Sequence, residues 1–306
     1  MNLFQKTKLE NDNRGICVSV EELIKQQQYL PYLSIRGNYI TSNRVGDVKS
    51  AFKGRGMEFE EIREYNFGDD VRDIDWRITA RKSEPFTKIY NEEKDREITV
   101  FLDLSASMVF GTKNEFKSVA AAKITALLGW LSVKNKDRFG VVIYDGENIT
   151  YFKPQSSMQN LMAIFKKISD ISCEILKGNK LSNLSEALKT LEFKRKGQGI
   201  IFILSDFYSL DSDGFKKIAA LSKSNKIYCV DIFDVIEDIA PKDGVYAVQY
   251  AGEKVVFDSS GKGFKDEYKK YFAENRENVK KNCQKFSCGY IEIRTDAPIF
   301  KQLRVV

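Results

Sequence analysis

From about residue 96 onward, short and nearly unbroken apolar runs alternate with longer stretches of helical spacing. The runs occupy residues 98–102, 139–144, 200–204, 227–230 and 290–293 and are rich in β-branched and aromatic side chains. They are too short for buried helices and mostly lack the alternation of a strand with one wet face. Strands of this kind are covered on both sides, as in a parallel sheet. Helical patterns lie between them, strongest at 119–128 and repeated near 157–170, 183–192, 213–223 and 263–282. The alternation predicts an α/β domain over residues 96–306, with a doubly wound, mostly parallel sheet flanked by helices. Residues 243–258 read as a β-hairpin inserted before the last helix and strand.

Residues 1–95 differ. A short helix near 20–29 ends before Pro31, and a charged, Gly-punctuated region with strand-like pieces follows without βα alternation. The expectation is a separate N-terminal module packed on the α/β domain.

Composition narrows the chemistry. The chain of 306 residues has no histidine. That removes Ser-His-Asp and Cys-His catalysis, His-containing zinc sites and haem held by a proximal His. Cys17, Cys173, Cys229, Cys283 and Cys288 are scattered and form no CxxC pair, as expected of reduced thiols in a cytoplasmic protein. The first residues are polar, without the apolar core of a secretory signal, and no run reaches the roughly 18 apolar residues of a membrane span. A net charge of +6 is spread along the chain, which argues against a nucleic-acid footprint.

The first apolar run leads into Asp103-Leu104-Ser105-Ala106-Ser107. Ligands of open α/β sheets bind outside the carboxyl ends of the strands. Alternate positions 103, 105 and 107 can direct one carboxylate and two hydroxyls to one point there. Ser205-Asp206 follows the run at 200–204, and Ser182-Asn183 opens a later helix. Such oxygens are the donors that Mg²⁺ or Mn²⁺ takes. The plainer alternative is that Asp103 and Ser105 cap a helix and Asp206 starts a loop. Gly111-Thr112-Lys113 lacks the spacing of a phosphate-binding loop and reads as a turn.

This constellation resembles the metal-ion-dependent adhesion site of von Willebrand factor type A domains. Asp103, Ser105, Ser107 and Asp206 match that pattern directly, while Ser182 stands where Thr is usual and Asn183 where an Asp often follows. A second resemblance covers about residues 35–306. Gly54-Arg55-Gly56-Met57-Glu58-Phe59, Ile62-Arg63-Glu64-Tyr65, Gly68 through Trp76 and Thr79-Ala80-Arg81 occur in order. Ser205-Asp206-Phe207, Val230-Asp231, Glu237, Pro241 and Thr295-Asp296 follow. The run is similar to the signature of the bacterial family called domain of unknown function fifty-eight, whose members carry a von Willebrand A-like domain downstream. Its charged cluster of Arg63, Asp69, Asp70, Arg72, Asp73, Asp75 and Arg81 reads as an ion-pair and hydrogen-bond network with Trp76 as a buried anchor.

The resemblance implies a non-enzymatic adaptor. A Mg²⁺ or Mn²⁺ ion on Asp103, Ser105, Ser107, Ser182 and Asp206 would take an Asp or Glu of a partner as its last ligand. It further implies a MoxR-type AAA+ ATPase, or that ATPase's client, as partner in chaperone-like assembly. The enzyme alternative is a metal-dependent phosphohydrolase of the haloacid dehalogenase type using Asp103. That chemistry needs Asp-x-Asp, and Ser105 stands at its second position.

Overall fold

The structure, a computed structural model, describes residues 15–33, 57–67, 69–92, 96–174, 183–194, 199–250 and 253–303. The chain divides into two units, one of Gly37–Asp95 and one of Met1–Arg36 with Arg96–Val306.

The first helix among the described residues of the larger unit is α1 (Val20–Lys25), capped by a reciprocal pair in which Glu22 N–H donates to Ser19 Oγ and Ser19 N–H to the Glu22 carboxylate. A 3-10 turn over Gln26–Tyr32 follows. The smaller unit pairs β1 (Met57–Glu64) antiparallel with β2 (Phe86–Glu92), and helix α2 (Trp76–Lys82) lies between them in sequence. Its charges do form a network. Arg63 pairs with Asp69 at 2.8 Å and Arg72 with Asp70 at 3.0 Å. Asp75 caps α2 and meets Lys88 at 3.1 Å. Trp76 is not the buried anchor expected from the sequence, because 66% of it is exposed. As the first residue of a short helix it projects outward, and Phe86 and Thr87 are buried instead.

In the larger unit, β3 (Glu97–Asp103), α3 (Lys117–Lys134), β4 (Arg138–Tyr144), β5 (Ile149–Gln155), α4 (Met158–Glu174), α5 (Leu184–Lys194), β6 (Ile200–Ser205), α6 (Ser212–Ser222) and β7 (Lys226–Phe233) follow one another. Then come the hairpin β8 (Val245–Tyr250) and β9 (Glu253–Asp258), helix α7 (Phe264–Lys285), β10 (Gly289–Arg294) and α8 (Ile299–Gln302). Six strands form one sheet in the order β10-β7-β6-β3-β4-β5. Every neighbouring pair is parallel except β4 with β5. This is the doubly wound, helix-flanked α/β architecture expected of a von Willebrand A-like domain. β8 and β9 form a separate two-stranded sheet, as their sequence suggests.

β5 has no counterpart among the sequence-predicted strands. Pro154 interrupts its pattern, which only an edge strand tolerates. Its partner carries Gly140, where a Cβ would come within 2.7 Å of the Phe152 carbonyl oxygen and of Pro154; a side chain there would push the edge strand away.

Helix α3 is apolar on nearly every side and, Lys123 apart, buried from Lys117 through Ser132, as a helix covered on both flanks must be. One flank is the sheet. The other includes the N-terminal segment, whose Val18, Leu23 and Leu33 belong to the same core as Ile124, Leu128 and Trp130. Trp130 Nε1 donates to the Leu23 carbonyl at 3.1 Å, and Val18 N–H donates to Ser172 Oγ at 3.1 Å. The division at residue 95 expected from the sequence is therefore corrected at its N-terminal side. Residues 15–33 belong to the α/β unit, because Val18, Leu23 and Leu33 complete its core.

Candidate functional site

β3 has β4 on one side and β6 on the other, so the chain reverses its winding direction there. A crevice opens at the carboxyl ends of strands at such a point. Asp103 ends β3 and is fully buried. Its Oδ1 accepts from Ser105 N–H at 2.9 Å and its Oδ2 from Ser205 Oγ at 2.6 Å. Burial, and next the negative charge of Asp206, push its carboxyl up to about 6 against those hydrogen bonds. The backbone bond from Ser105 tightens the chain after the strand, and Ala106–Met108 forms a 3-10 turn. Ser105 Oγ is buried and has no hydrogen-bond partner. Ser107, half-buried, donates through Oγ to Asp206 Oδ1 at 3.2 Å.

Asp206 follows β6 and is 1% exposed. Phe207 directly after it takes a left-handed backbone, φ 57°, which is costly for a bulky side chain. Ser205 Oγ accepts from Phe207 N–H at 3.1 Å while donating to Asp103, so one hydroxyl joins the strained turn to the end of β3. Asp103, Ser105, Ser107 and Asp206 thus stand together at the rim of the sheet. Ser182 lies outside the described residues. Asn183, next to it, caps α5 by accepting from Glu186 N–H at 2.9 Å, and its own N–H donates to the Tyr144 hydroxyl at 2.9 Å. Tyr144 ends β4 opposite Asp103.

Sequence reasoning missed the cation of the site. Lys117, in the first turn of α3, is 2% exposed, and its Nζ donates to Asp206 Oδ2 and Glu237 Oε1, each at 2.8 Å. Burial opposes its charge, but Asp206 and Glu237 outweigh burial and hold the ammonium above its usual range. Burial raises the Glu237 carboxyl, with Lys117 opposing. Glu237 and Asp234 form a capping pair on the turn after β7, in which Asp234 N–H donates to Glu237 Oε2 at 3.0 Å. Asp234 also accepts from Thr112 Oγ1 at 2.5 Å and Thr295 Oγ1 at 2.7 Å. The Gly111-Thr112-Lys113 segment is therefore a turn latched to the end of β7. On β7 itself, Asp231 is 2% exposed and accepts from the hydroxyl of Tyr290 on neighbouring β10 at 2.7 Å. Burial, opposed by that bond, lifts its carboxyl to about 7.

Asp103, Asp206, Asp231, Asp234 and Glu237 are thus five buried acids with the buried Lys117 among them. Arg276 of α7 reaches the edge of the group through the Glu237 carbonyl, 3.2 Å away. Among the described residues no three Cys, Asp or Glu side chains form a metal-binding group by themselves. Any ion here would need the serine hydroxyls. The orphaned Ser105 Oγ, Ser107 Oγ and the carboxylates of Asp103 and Asp206 make a donor set of the type a small hard cation takes.

Among the described residues no helix is long and apolar enough to cross a membrane. Sequence comparison finds 26% identity over 256 residues, 82% of this chain and 78% of the relative, with uncharacterized proteins of Mycobacterium bovis and of Mycobacterium tuberculosis. Among solved structures, the conserved hypothetical protein BatB from Bacteroides thetaiotaomicron is similar at 15% identity and a TM-score of 0.41, over 68% of this chain and 93% of that one. A family model described as "Protein of unknown function DUF58" matches residues 61–278. The match takes in the smaller unit's charged network, the Asp103 turn, Lys117, Asp206 and Glu237, and the chain belongs to the DUF58 family.

Proposed function

We propose that the chain is a protein-interaction adaptor whose site at the β3–β6 rim takes Mg²⁺ or Mn²⁺ and, through the ion, a carboxylate of a partner. The observation that carries this reading is the unpartnered, buried Ser105 Oγ on the turn that also holds Asp103 and Ser107, the latter bonded to Asp206. A buried hydroxyl without a partner costs about 1–3 kcal/mol, and a cation bound there would remove that cost. Ser105 and Ser107 would hold the ion through neutral oxygens. Asp103 and Asp206 would hold its waters and balance its charge, with Ser182 as a further donor by resemblance. An ion held mainly by hydroxyls keeps strong affinity for one more anionic oxygen. Ala106 and Ser107 form the half-exposed side of the turn, the approach open to a partner's Asp or Glu.

The partner we favour is a MoxR-type AAA+ ATPase or its client, on the strength of the family resemblance alone. The phosphohydrolase reading draws no support from the geometry. Both oxygens of Asp103 are engaged, by Ser105 N–H and Ser205 Oγ, and Lys117 is attached to Asp206 and Glu237 rather than to Asp103.

Thermal denaturation with and without the ion tests the site. Binding to the folded state alone adds about 2.7 kcal/mol at a hundredfold excess over Kd, which for a chain of this size is a rise of several degrees. Asp103→Ala should abolish the rise. An equal rise in that variant would place the ion elsewhere.

A further inference from the structure

Lys117 is the most deeply buried charged amine of the site, and the proposed ion chemistry does not use it. Its Nζ bridges two carboxylates of different elements at 2.8 Å each. Asp206 belongs to the rim, whereas Glu237 belongs to the turn over Val235–Glu237, which leads on to β8 and β9. Asp206 divides its oxygens: Oδ1 faces Ser107 and Oδ2 faces Lys117. A cation held at Ser105 and Ser107 would therefore share Asp206 with the ammonium. Two positive charges on one buried carboxylate repel, and in a weakly polarisable interior that repulsion is not screened away. Lys117 has a second seat, because Glu237 is already in reach. Glu237 in turn fixes the Asp234 N–H, and Asp234 holds Thr112 and Thr295.

We propose that Lys117 is a positioning residue that couples ion binding at Asp103, Ser105, Ser107 and Asp206 to the Asp234–Glu237 turn. When the ion draws on Asp206, Lys117 leans toward Glu237 and tightens the turn from which the hairpin departs. This inference rests on the ion site proposed above and deepens it. It makes Lys117 the limit on ion affinity and makes the turn the place where occupancy is read out.

Two substitutions should act in opposite directions. Lys117→Met keeps the length of the side chain and removes its charge, leaving Asp206 free for the ion. Glu237→Gln keeps an acceptor for the Asp234 N–H but takes away the ammonium's second seat, which binds Lys117 more firmly to Asp206. Titration calorimetry with Mg²⁺ alone should show binding at least tenfold tighter in Lys117→Met and severalfold weaker in Glu237→Gln. A purely structural lysine would make both variants weaker, and that result would overturn the proposal. Hydrogen exchange over residues 234–241 should slow with Mg²⁺ in the unaltered chain and not in Lys117→Met. Exchange that ignores Mg²⁺ while heat of binding is observed would refute the coupling and leave the ion site standing. No heat of binding in the unaltered chain would refute the ion site, and the coupling with it. Should Lys117→Met fail to fold, hydrogen exchange of the unaltered chain still decides, because exchange over residues 234–241 that ignores bound Mg²⁺ contradicts the proposal.

Discussion

Asp231 shows how the buried acids set the protein's response to pH. In the folded state its carboxyl sits at about 7 rather than 3.8, so the folded protein favours the protonated form. The stability linked to that proton is complete below about pH 4 and is lost as the pH rises through about 7. Asp103, pushed to about 6, acts in the same direction. Asp231→Asn holds the neutral form at every pH and still offers Tyr290 an acceptor. The melting temperature of this variant should match the unaltered chain below about pH 4, exceed it increasingly as the pH rises to about 7, and keep that lead above it, each pKa unit corresponding to roughly 1.4 kcal/mol. A gap between the two that does not change with pH would mean that Asp231 is better solvated than its 2% exposure indicates. At this scale Asp103, Ser105 and Ser107 were legible because alternate spacing after an apolar strand is a local signal, and Asp206 because it follows another such strand. Lys117 was not legible: a lysine opening an apolar helix looks in sequence like any solvated helix start. Only the fold brings it to Asp206, 89 residues away, and to Glu237, 120 away.

At the scale of elements, the strands of the sheet interior announced themselves because burial on both faces leaves an unbroken apolar run. β5 did not, since it sits at the edge with Pro154 in its pattern. Helix α1 was legible as a helix but not as part of the core. Its six residues Val20–Lys25 contain a single fully buried leucine, Leu23, and nothing local says where that side chain goes. Leu23 packs with the α3 face bearing Trp130, whose indole N–H needs the Leu23 carbonyl. Truncating a buried leucine costs about 2–5 kcal/mol. Leu23→Ala should therefore lower the denaturant midpoint of the α/β unit by that measure without altering its ion affinity. A change below about 0.5 kcal/mol, the usual range for surface positions, would show that α1 does not stabilise α3.

For the whole molecule, the adaptor reading makes a joint demand on ion and partner. Capture of a purified MoxR-type ATPase by the intact chain should require Mg²⁺, disappear with chelator and fail for Asp103→Ala. The lost contact should map to an Asp or Glu on the partner, as replacing a hydrogen-bonded interfacial charge costs about 2–5 kcal/mol. Capture that is indifferent to chelator would assign the interaction to another surface.

The N-terminal clasp on α3 also has a consequence for how the chain is made. The Leu23 carbonyl and the Trp130 indole that seals it lie 107 residues apart, and Val18 and Ser172 lie 154 apart, with the smaller unit between them in sequence. At translation rates of roughly 5–20 residues per second, Leu23 is synthesised about 5–20 seconds before Trp130 of its docking face. Helix α1 thus waits for its place until the smaller unit and the start of the sheet have been made.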